Sequence, residues 1–358
     1  MMSISIFDRL QIRSLDIPNR VWVSPMCQYS AKNGVVGEWH RVHLGAFATG
    51  GAGLIFVEAT AVVPEGRISV GCPGIWNDEQ AEAFRPIVDF AHSMGATIGI
   101  QLAHAGRKGS TMPPWNDHLI AHSNEGGWES VSASPIAFHG MPTPRELSVT
   151  EIAELTQNFV GAAQRAIKVG FDVIELHAAH GYLFHQFISP LSNKRADEYG
   201  GDFNGRTRFL REVAQQVRQG IPEGVPLFVR ISATDWVEGG WNIEDSISLA
   251  REFKNLGVDL IDVSSGGLIH GVKVPVGPGY QVPFSEAIKK ETGILTSAVG
   301  LITDAHQAEE IVASGKADAV MLAREMLRNP RWPMAAAEKL GIRITWPVQY
   351  ERARTLAR

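Results

Sequence analysis

The sequence has very little cysteine: the 358-residue chain contains only Cys27 and Cys72. They lie far apart and form no CxxC pattern. This excludes a disulfide-stapled scaffold and a zinc ribbon, because both need several closely spaced thiols. A chain of this length can bury most of its apolar surface without crosslinks. The cysteine usage therefore predicts a protein of a reducing compartment, the cytoplasm.

Signals for secretion or for a membrane are missing as well. The first ten residues, MMSISIFDRL, have neither a basic region nor an apolar run, so they predict no signal peptide. Residues 44–63 carry a single charge, Glu58, but they also contain four glycines. That composition favours a helix, a turn and a buried strand over a lipid-spanning helix. We expect no membrane partner.

Neither sign of charge dominates the chain. It has 33 Lys and Arg residues against 38 Asp and Glu residues, a formal net charge of −5, and no basic cluster. Proteins that bind nucleic acids or anionic membranes usually present a concentrated positive surface. We therefore expect a small-molecule substrate and no nucleic acid partner.

Short apolar runs of strand length recur along the chain and alternate with segments of helical period. The runs are continuously apolar, which is typical of parallel strands covered on both faces. They occupy residues 21–24, 54–58, 97–102, 173–176, 227–231, 260–263, 295–298 and 319–322. Helices are predicted at 150–168, 204–218, 242–256 and 303–314, from apolar stripes and capping residues.

Eight strands alternating with helices predict an α/β fold, a (β/α)8 TIM barrel forming one domain over residues 1–358. A doubly wound open sheet is the alternative, but it needs a glycine-rich turn after its first strand, and residues 21–29 contain no glycine. Two long insertions follow the third and fourth strands, at 103–149 and 178–203. Long loops in a compact domain are usually functional, and we expect 103–149 to form a lid.

Polar residues follow several of the predicted strands, and these ends of a TIM barrel hold the active site. Gln101, His177, His180, Arg230 and Arg324 should converge there. The loops after the last two strands frequently bind phosphate through backbone N–H groups. The small residues in these loops, with Arg324 as charge partner, predict a phosphate site formed by Ala298, Val299, Gly300, Ala323 and Arg324.

The pair His177 and His180 allows two interpretations. Two neutral imidazoles can donate hydrogen bonds to one carbonyl or nitro oxygen and stabilise the charge that develops on it. An H-x-x-H pair can also hold a metal ion, but no third ligand follows at a telling spacing. We therefore predict no metal, and we keep a metal-dependent lyase or hydrolase as the alternative.

Seven segments together resemble the Old Yellow Enzyme family, in the branch of bacterial NADPH dehydrogenases and xenobiotic reductases. The resemblance runs nearly end to end, and the motifs stand at the predicted strand exits. They are SPMCQY (24–29), VEATAVVPEGRI (57–68), IQLAHAGRK (100–108), IELHAAHGYLFHQFISPLSNKRADEYGGDFNGRTRF (174–209), AVGLIT (298–303), ARE with LRNPRW (323–332) and PVQYER (347–352).

The resemblance implies a tightly bound, non-covalent FMN that is reduced by NADPH. It places Ser24, Pro25, Met26 and Cys27 along the flavin ring. Ala59 and Gln101 would contact its pyrimidine side, and Arg230 would lie at its N1 edge, where a cation stabilises the reduced form. The phosphate of FMN would be bound by Ala298, Val299, Gly300, Ala323 and Arg324. The family usually has glycine at the position of Ala323.

The resemblance also implies roles at the substrate. His177 and His180 would bind the substrate oxygen, Tyr182 would donate a proton, and Tyr29 would contact the substrate. The tail, residues 344–358, would reach a neighbouring subunit and place Arg352 at its active site, with Arg354 as a possible substitute. A homodimer or homotetramer with shared sites is therefore expected.

These features predict an FMN-dependent NADPH oxidoreductase, an ene-reductase. It would transfer hydride from reduced flavin to the β-carbon of activated alkenes, namely α,β-unsaturated carbonyl compounds, with nitro compounds and quinones as further candidates. Besides the metal enzyme, a flavin-binding protein without turnover remains the other alternative.

Overall fold

The computed structural model describes residues 4–354. That part of the chain contains twelve strands: β1 (Leu10–Ile12), β2 (Leu15–Ile17), β3 (Val21–Val23), β4 (Leu54–Ala61), β5 (Thr97–Ala103), β6 (Val131–Ser132), β7 (Arg145–Glu146), β8 (Val173–Ala178), β9 (Leu227–Ser232), β10 (Leu260–Ser264), β11 (Leu295–Ala298) and β12 (Ala319–Leu322).

Ten α-helices lie in the same described residues. They are α1 (Glu38–Thr49), α2 (Asp78–Ser93), α3 (Val149–Lys168), α4 (Leu183–Ile188), α5 (Phe203–Gly220), α6 (Ile243–Asn255), α7 (Val282–Thr292), α8 (Ala305–Ala313), α9 (Arg324–Arg328) and α10 (Trp332–Lys339). Short 3-10 helices occupy Pro64–Gly66, Gly106–Lys108, Ser123–Glu125 and Val348–Ala353.

Eight parallel strands close into a barrel, which confirms the predicted TIM-barrel fold. Their order around the barrel is β10-β11-β12-β3-β4-β5-β8-β9. Each predicted strand corresponds to one barrel strand, and the observed bounds differ by at most three residues. The largest difference is at β4, which continues past Glu58 to Ala61 through a register shift against β5.

The predicted helices are also present, and their caps explain where they begin. The Ser148 hydroxyl accepts a hydrogen bond from the Glu151 N–H at the start of α3, as the capping-box pattern predicted. Asn242 caps α6 in the same way, by accepting from the Asp245 N–H. Asp304 caps α8. These side chains satisfy backbone donors that the first turn of a helix leaves unpaired.

An apolar layer fills the lower half of the barrel, towards the N-terminal ends of the strands. Trp22 stacks on Phe228 with ring centroids 5.9 Å apart, and Phe56 packs on Phe228 at 6.1 Å. The antiparallel hairpin of β1 and β2 contributes Leu10, Ile12 and Ile17 to the same cluster. Within residues 4–354, these side chains close the barrel interior at this end, and the interior is approached from the opposite end.

The insertion at 103–149 forms no helix longer than three residues. Thr111 pairs with Ile120 in an antiparallel bridge, so residues 111–120 fold back as a hairpin. The short strands β6 and β7 lie further along the same insertion. No helix within residues 4–354 has both the length and the apolar character needed to cross a membrane.

Candidate functional site

Six polar side chains form a layer inside the barrel, directly above the apolar layer. The strand register places Gln101 beside Glu175, Arg230 beside Asp262, and Asp262 beside Ser297, with Ser24 completing the set. All six are buried. Buried polar groups must find partners within the protein, so this layer is held by its own hydrogen bonds and charges.

Arg230 connects opposite walls of the barrel. Its Nε lies 3.1 Å from Asp262 Oδ2 on the neighbouring strand, and its Nη1 donates a hydrogen bond of 2.8 Å to Ser24 Oγ. Three strands separate β9 from β3 in either direction around the barrel. The bond to Ser24 therefore crosses the interior, and the guanidinium occupies the barrel axis.

Glu175 lies in the same layer and is hydrogen-bonded to Gln101. Its Oε1 accepts a 2.8 Å hydrogen bond from Gln101 Nε2, while Oε2 has no hydrogen-bond partner among the described residues. Burial raises the pKa of Glu175 well above its usual value, Asp262 raises it further, and Arg230 opposes both. Burial also raises the pKa of Asp262, against the effect of Arg230. Burial therefore favours the protonated form of both carboxyl groups, and Arg230 favours the ionised form of both.

Three aromatic side chains gather at the exit of β8, above this layer. The ring of His177 lies 5.3 Å from that of His180 and 5.0 Å from that of Tyr182, and both contacts are edge-to-face. His180 Nε2 is 2.7 Å from Ser264 Oγ on β10. The structure thus brings together the predicted substrate-binding histidines and the predicted proton donor.

Both histidines are neutral at physiological pH. Burial lowers the pKa of His177 and of His180 well below the usual value, and the charges of Arg230 and Lys108 lower it further. Burial raises the pKa of Tyr182, so its hydroxyl keeps its proton. The site therefore offers neutral hydrogen-bond donors close to a buried cation.

A buried hydrogen bond between His185 and Asp235 holds the turn that carries these rings. His180 and Gly181 have φ angles of 57° and 74°, a tight left-handed conformation. The Gly181 N–H donates to His185 Nδ1 at 2.9 Å, and His185 Nε2 lies 2.8 Å from Asp235 Oδ1. Asp235 therefore orients His185, and His185 in turn fixes the backbone beside Tyr182.

Lys108 closes one side of the site. Its Nζ donates to the carbonyl oxygens of His180 (2.8 Å) and Gly267 (3.1 Å), and it lies 5.0 Å from the centre of the Tyr182 ring. Burial lowers its pKa to about 8, with a further contribution from Arg107. The insertion at 103–149 is thus tied to the loops after β8 and β10.

The segment after β3 lines the opposite side. Residues 25–30, with the predicted Pro25, Met26, Cys27 and Tyr29, are half-buried at the barrel mouth. The Gln28 N–H donates to Glu58 Oε2 at 2.8 Å, and the Cys27 thiol contacts the backbone of Ala59 and the thiol of Cys72. Contact with Cys72 and burial raise the pKa of Cys27, so this thiol stays protonated.

A cavity of about 190 Å³ opens between the last two barrel strands. It is lined by the predicted phosphate-binding residues Val299, Gly300, Ala323 and Arg324, whereas Ala298 lies buried just before them. Gly300 has a φ of 129°, and a side chain there would come within 3.0 Å of Gln281 and Tyr280. Ala323 has a φ of −109°, so this backbone does not require glycine.

Arg352 lies away from the rest of the predicted site. The tail runs beside residues 51–52 and 93–96, at the N-terminal ends of the strands. Arg354 is held within its own chain by Ile344 O, Glu351 and the Trp346 ring, whereas Arg352 is exposed. The end of the predicted tail, 355–358, lies outside the described residues.

The sequence model of the NADH:flavin oxidoreductase / NADH oxidase family matches residues 5–342. The chain belongs to this family. Its members include the Old Yellow Enzyme, so the resemblance found in the sequence is confirmed, and the chain is an oxidoreductase.

Curated relatives match over nearly the whole chain. The NADPH dehydrogenase of Geobacillus thermodenitrificans is 49% identical over 354 residues, 98% of this chain and 99% of the relative. That of Bacillus subtilis is 46% identical with the same coverage. Among solved structures, morphinone reductase superposes with a TM-score of 0.80 at 28% identity, over 97% of this chain and 92% of that protein.

Several residues of the site were not predicted from the sequence. Glu175 and Asp262 lie within the apolar strand segments IEL and IDV. A charged residue in such a segment interrupts the apolar pattern, and this interruption could have identified both as candidate site residues. His185 and Asp235 carry no such signal, because one lies on a helix and the other on a loop fifty residues later. Among the described residues, His177 and His180 belong to no group of three potential metal ligands.

Replacing the buried cation should destabilise the barrel in a pH-dependent way. Arg230→Met leaves Asp262 and Glu175 without a cation and should lower the free energy of unfolding at pH 7 by about 3–5 kcal/mol. The pKa of both carboxyl groups then rises further, so the deficit should shrink as the pH falls and they become protonated. Urea unfolding at several pH values measures this.

Arg251→Met serves as the control, because Arg251 forms an exposed ion pair with Glu291 at 3.5 Å. Such a pair contributes little to stability. If Arg230→Met unfolded like this control at every pH, the guanidinium would not be what holds the polar layer together.

Proposed function

We propose that this chain is an FMN-dependent ene-reductase that uses NADPH and reduces alkenes conjugated to a carbonyl or nitro group. The family and the named relatives support flavin-dependent oxidation of a nicotinamide nucleotide. The observation that carries the finer proposal is the cluster of His177, His180 and Tyr182 above the cation of Arg230. Quinones and nitro compounds are further candidate substrates.

The two histidines bind the oxygen of the substrate. His177 Nδ1 accepts from the Ala179 N–H at 3.4 Å, which leaves Nε2–H free to donate. His180 Nε2 lies 2.7 Å from the Ser264 hydroxyl. In the tautomer in which Nε2 accepts from this hydroxyl, the imidazole carries its proton on Nδ1, and this Nδ1–H can donate to the substrate oxygen. Two donors on one oxygen withdraw electron density from the β-carbon and stabilise the enolate charge.

Tyr182 supplies the proton that the α-carbon needs. Its hydroxyl stays protonated because burial raises its pKa, which a general acid at neutral pH requires. Its ring is held between His177 and the Lys108 ammonium. The ammonium also ties the turn at His180 to the insertion and so restricts movement of the acid.

The residues of the barrel mouth fit FMN. Arg324 borders the 190 Å³ cavity, and Gly300 leaves room for close approach of a phosphate to the backbone. Gln101 and Arg230 offer a polar wall, and Ser24, Met26, Cys27 and Ala59 offer the opposite one. FMN, when bound, accepts hydride from NADPH and gives hydride to the alkene; Arg230 favours the anionic reduced form.

Loss of Arg324 should weaken flavin binding. Arg324→Ala removes a charge partner of the phosphate, typically worth about 1.5–3 kcal/mol, or about 10- to 100-fold in affinity. Flavin content after dialysis and titration with FMN measure this. Arg328→Ala is the matched control, because Arg328 borders the same cavity but is paired with Glu325 at 2.9 Å. Weaker binding only in the control variant would contradict the phosphate placement.

Loss of either histidine should slow alkene reduction selectively. His177→Ala and His180→Ala should each lower the rate of reoxidation by an enone by about 10²–10³-fold, the usual cost of one lost donor. Flavin reduction by NADPH should change less, because no enolate forms in that step. Stopped-flow absorbance separates the two half-reactions, and the surface variant His92→Ala is the control. Equal losses in both half-reactions would count against the oxygen-binding role.

We also infer that active sites are shared between subunits of a homodimer or homotetramer. Arg352 is exposed, and the tail residues just before it, 343–349, lie beside residues 51–52 and 93–96 at the closed end of their own barrel. This position supports a role for Arg352 at the open end of another copy. Arg354 is engaged within its own tail, which favours Arg352 as the shared residue.

Mixed oligomers test this arrangement. Arg352→Ala and His180→Ala proteins should each be impaired, yet subunits exchanged between them should regain activity. In the hybrid, the intact site of the Arg352→Ala subunit receives Arg352 from its neighbour. Activity after refolding the two together, compared with mixing without exchange, is the readout. No recovery in hybrids shown to form would mean that Arg352 is not shared.

A further inference from the structure

The hairpin at residues 111–120 lies against the predicted substrate pocket. The Met112 N–H donates to Leu119 O at 2.8 Å, which closes the hairpin above its tip. Near the tip, Trp115 contacts the Tyr29 ring edge-on with centroids 5.9 Å apart, although two-thirds of Trp115 is exposed. The tip of the hairpin therefore covers part of the Tyr29 ring through Trp115.

Three potential metal ligands lie on the return side of the hairpin and just after it. His118, His122 and Glu125 place one ligand atom each within 4.8 Å of the others. The rings of the two histidines stack with centroids 5.3 Å apart, and Glu125 Oε2 is 3.1 Å from His118 Nε2. The His122 N–H and His118 hold the pKa of Glu125 below its usual value, so a carboxylate faces two imidazoles.

We propose that His118, His122 and Glu125 form a binding site for a divalent ion of the zinc type. Two imidazoles and one carboxylate are a common protein ligand set for Zn²⁺, with water filling the remaining position. Imidazole nitrogens favour Zn²⁺, Cu²⁺ and Ni²⁺ over Mg²⁺ or Ca²⁺, which prefer oxygen. This site is separate from the flavin chemistry and does not depend on it.

Occupancy of the site would fix the tip of the hairpin. His118 follows Trp115 by three residues, and the 3-10 helix Ser123–Glu125 carries the third ligand. Two hydrogen bonds to the Glu125 carboxylate now hold this segment together, from His118 and from the His122 N–H. An ion bound by all three side chains would restrict the movement of the hairpin more strongly. Because Trp115 contacts Tyr29, it would also restrict the position of the Tyr29 ring.

Zinc titration of the flavin-loaded protein tests the proposal. Isothermal titration calorimetry should show one Zn²⁺ per chain at this site. His118→Ala and Glu125→Gln should each weaken Zn²⁺ binding by more than about 10- to 100-fold. Replacing a residue that only orients a metal ligand already lowers metal affinity by about that factor. His92→Ala is the matched control, because His92 pairs with Asp172 at 2.9 Å but has no second histidine beside it.

A second group, Cys27, Glu58 and Cys72, could also take up zinc and must be distinguished. Cys72→Ser should leave the proposed site unaffected. Hydrogen–deuterium exchange should slow in residues 110–128 when Zn²⁺ is added to the wild type, but not to Glu125→Gln. The proposal is wrong if the wild type binds no Zn²⁺, if His118→Ala binds it as the wild type does, or if only Cys72→Ser loses it.

Discussion

A guanidinium on the axis of the barrel organises the centre of this protein. Arg230 is buried, so it needs compensation within the interior, and the barrel register supplies Asp262 beside it and Ser24 across from it. The charge of Arg230 also affects the pKa of residues to which it is not hydrogen-bonded. It helps keep His177 and His180 neutral, and it opposes the rise in the pKa of Glu175 that burial causes. The protonation state of these two predicted substrate-binding histidines therefore depends in part on Arg230, which lies below them.

The polar layer is possible because the rest of the interior is apolar and closed. Trp22, Phe56 and Phe228 fill the barrel below it, and the hairpin of β1 and β2 covers that end. Water is therefore kept from the carboxyl groups on one side, which strengthens their interaction with Arg230. Above the layer, the strand ends diverge into loops, and Lys108 and the pair of His185 with Asp235 hold those loops in place. From the N-terminal to the C-terminal ends of the strands, the barrel interior thus changes from apolar and closed to polar and open.

Much of this arrangement was predictable from residue order. The continuous apolar runs predicted each barrel strand, because a strand buried on both faces can carry few polar groups. Ser148 and Asn242 predicted where α3 and α6 begin, since capping is a local interaction. The exits of β5, β8 and β9 predicted that Gln101, His177 and Arg230 lie together, because parallel strands in a barrel end on the same face. Family resemblance added the cofactor and the roles, which no periodicity contains.

The sequence by itself therefore determined the barrel, its strands and the residues at its open end. Tertiary structure alone decided how those residues are paired. Nothing local links His185 to Asp235, or Arg230 to Ser24 more than two hundred positions earlier, since these contacts follow from closure of the sheet. The protonation states were decided in the same way, because burial and distance to a charge exist only after folding. The place of Arg352, at the end away from its own site, likewise depends on how the tail packs against the finished barrel.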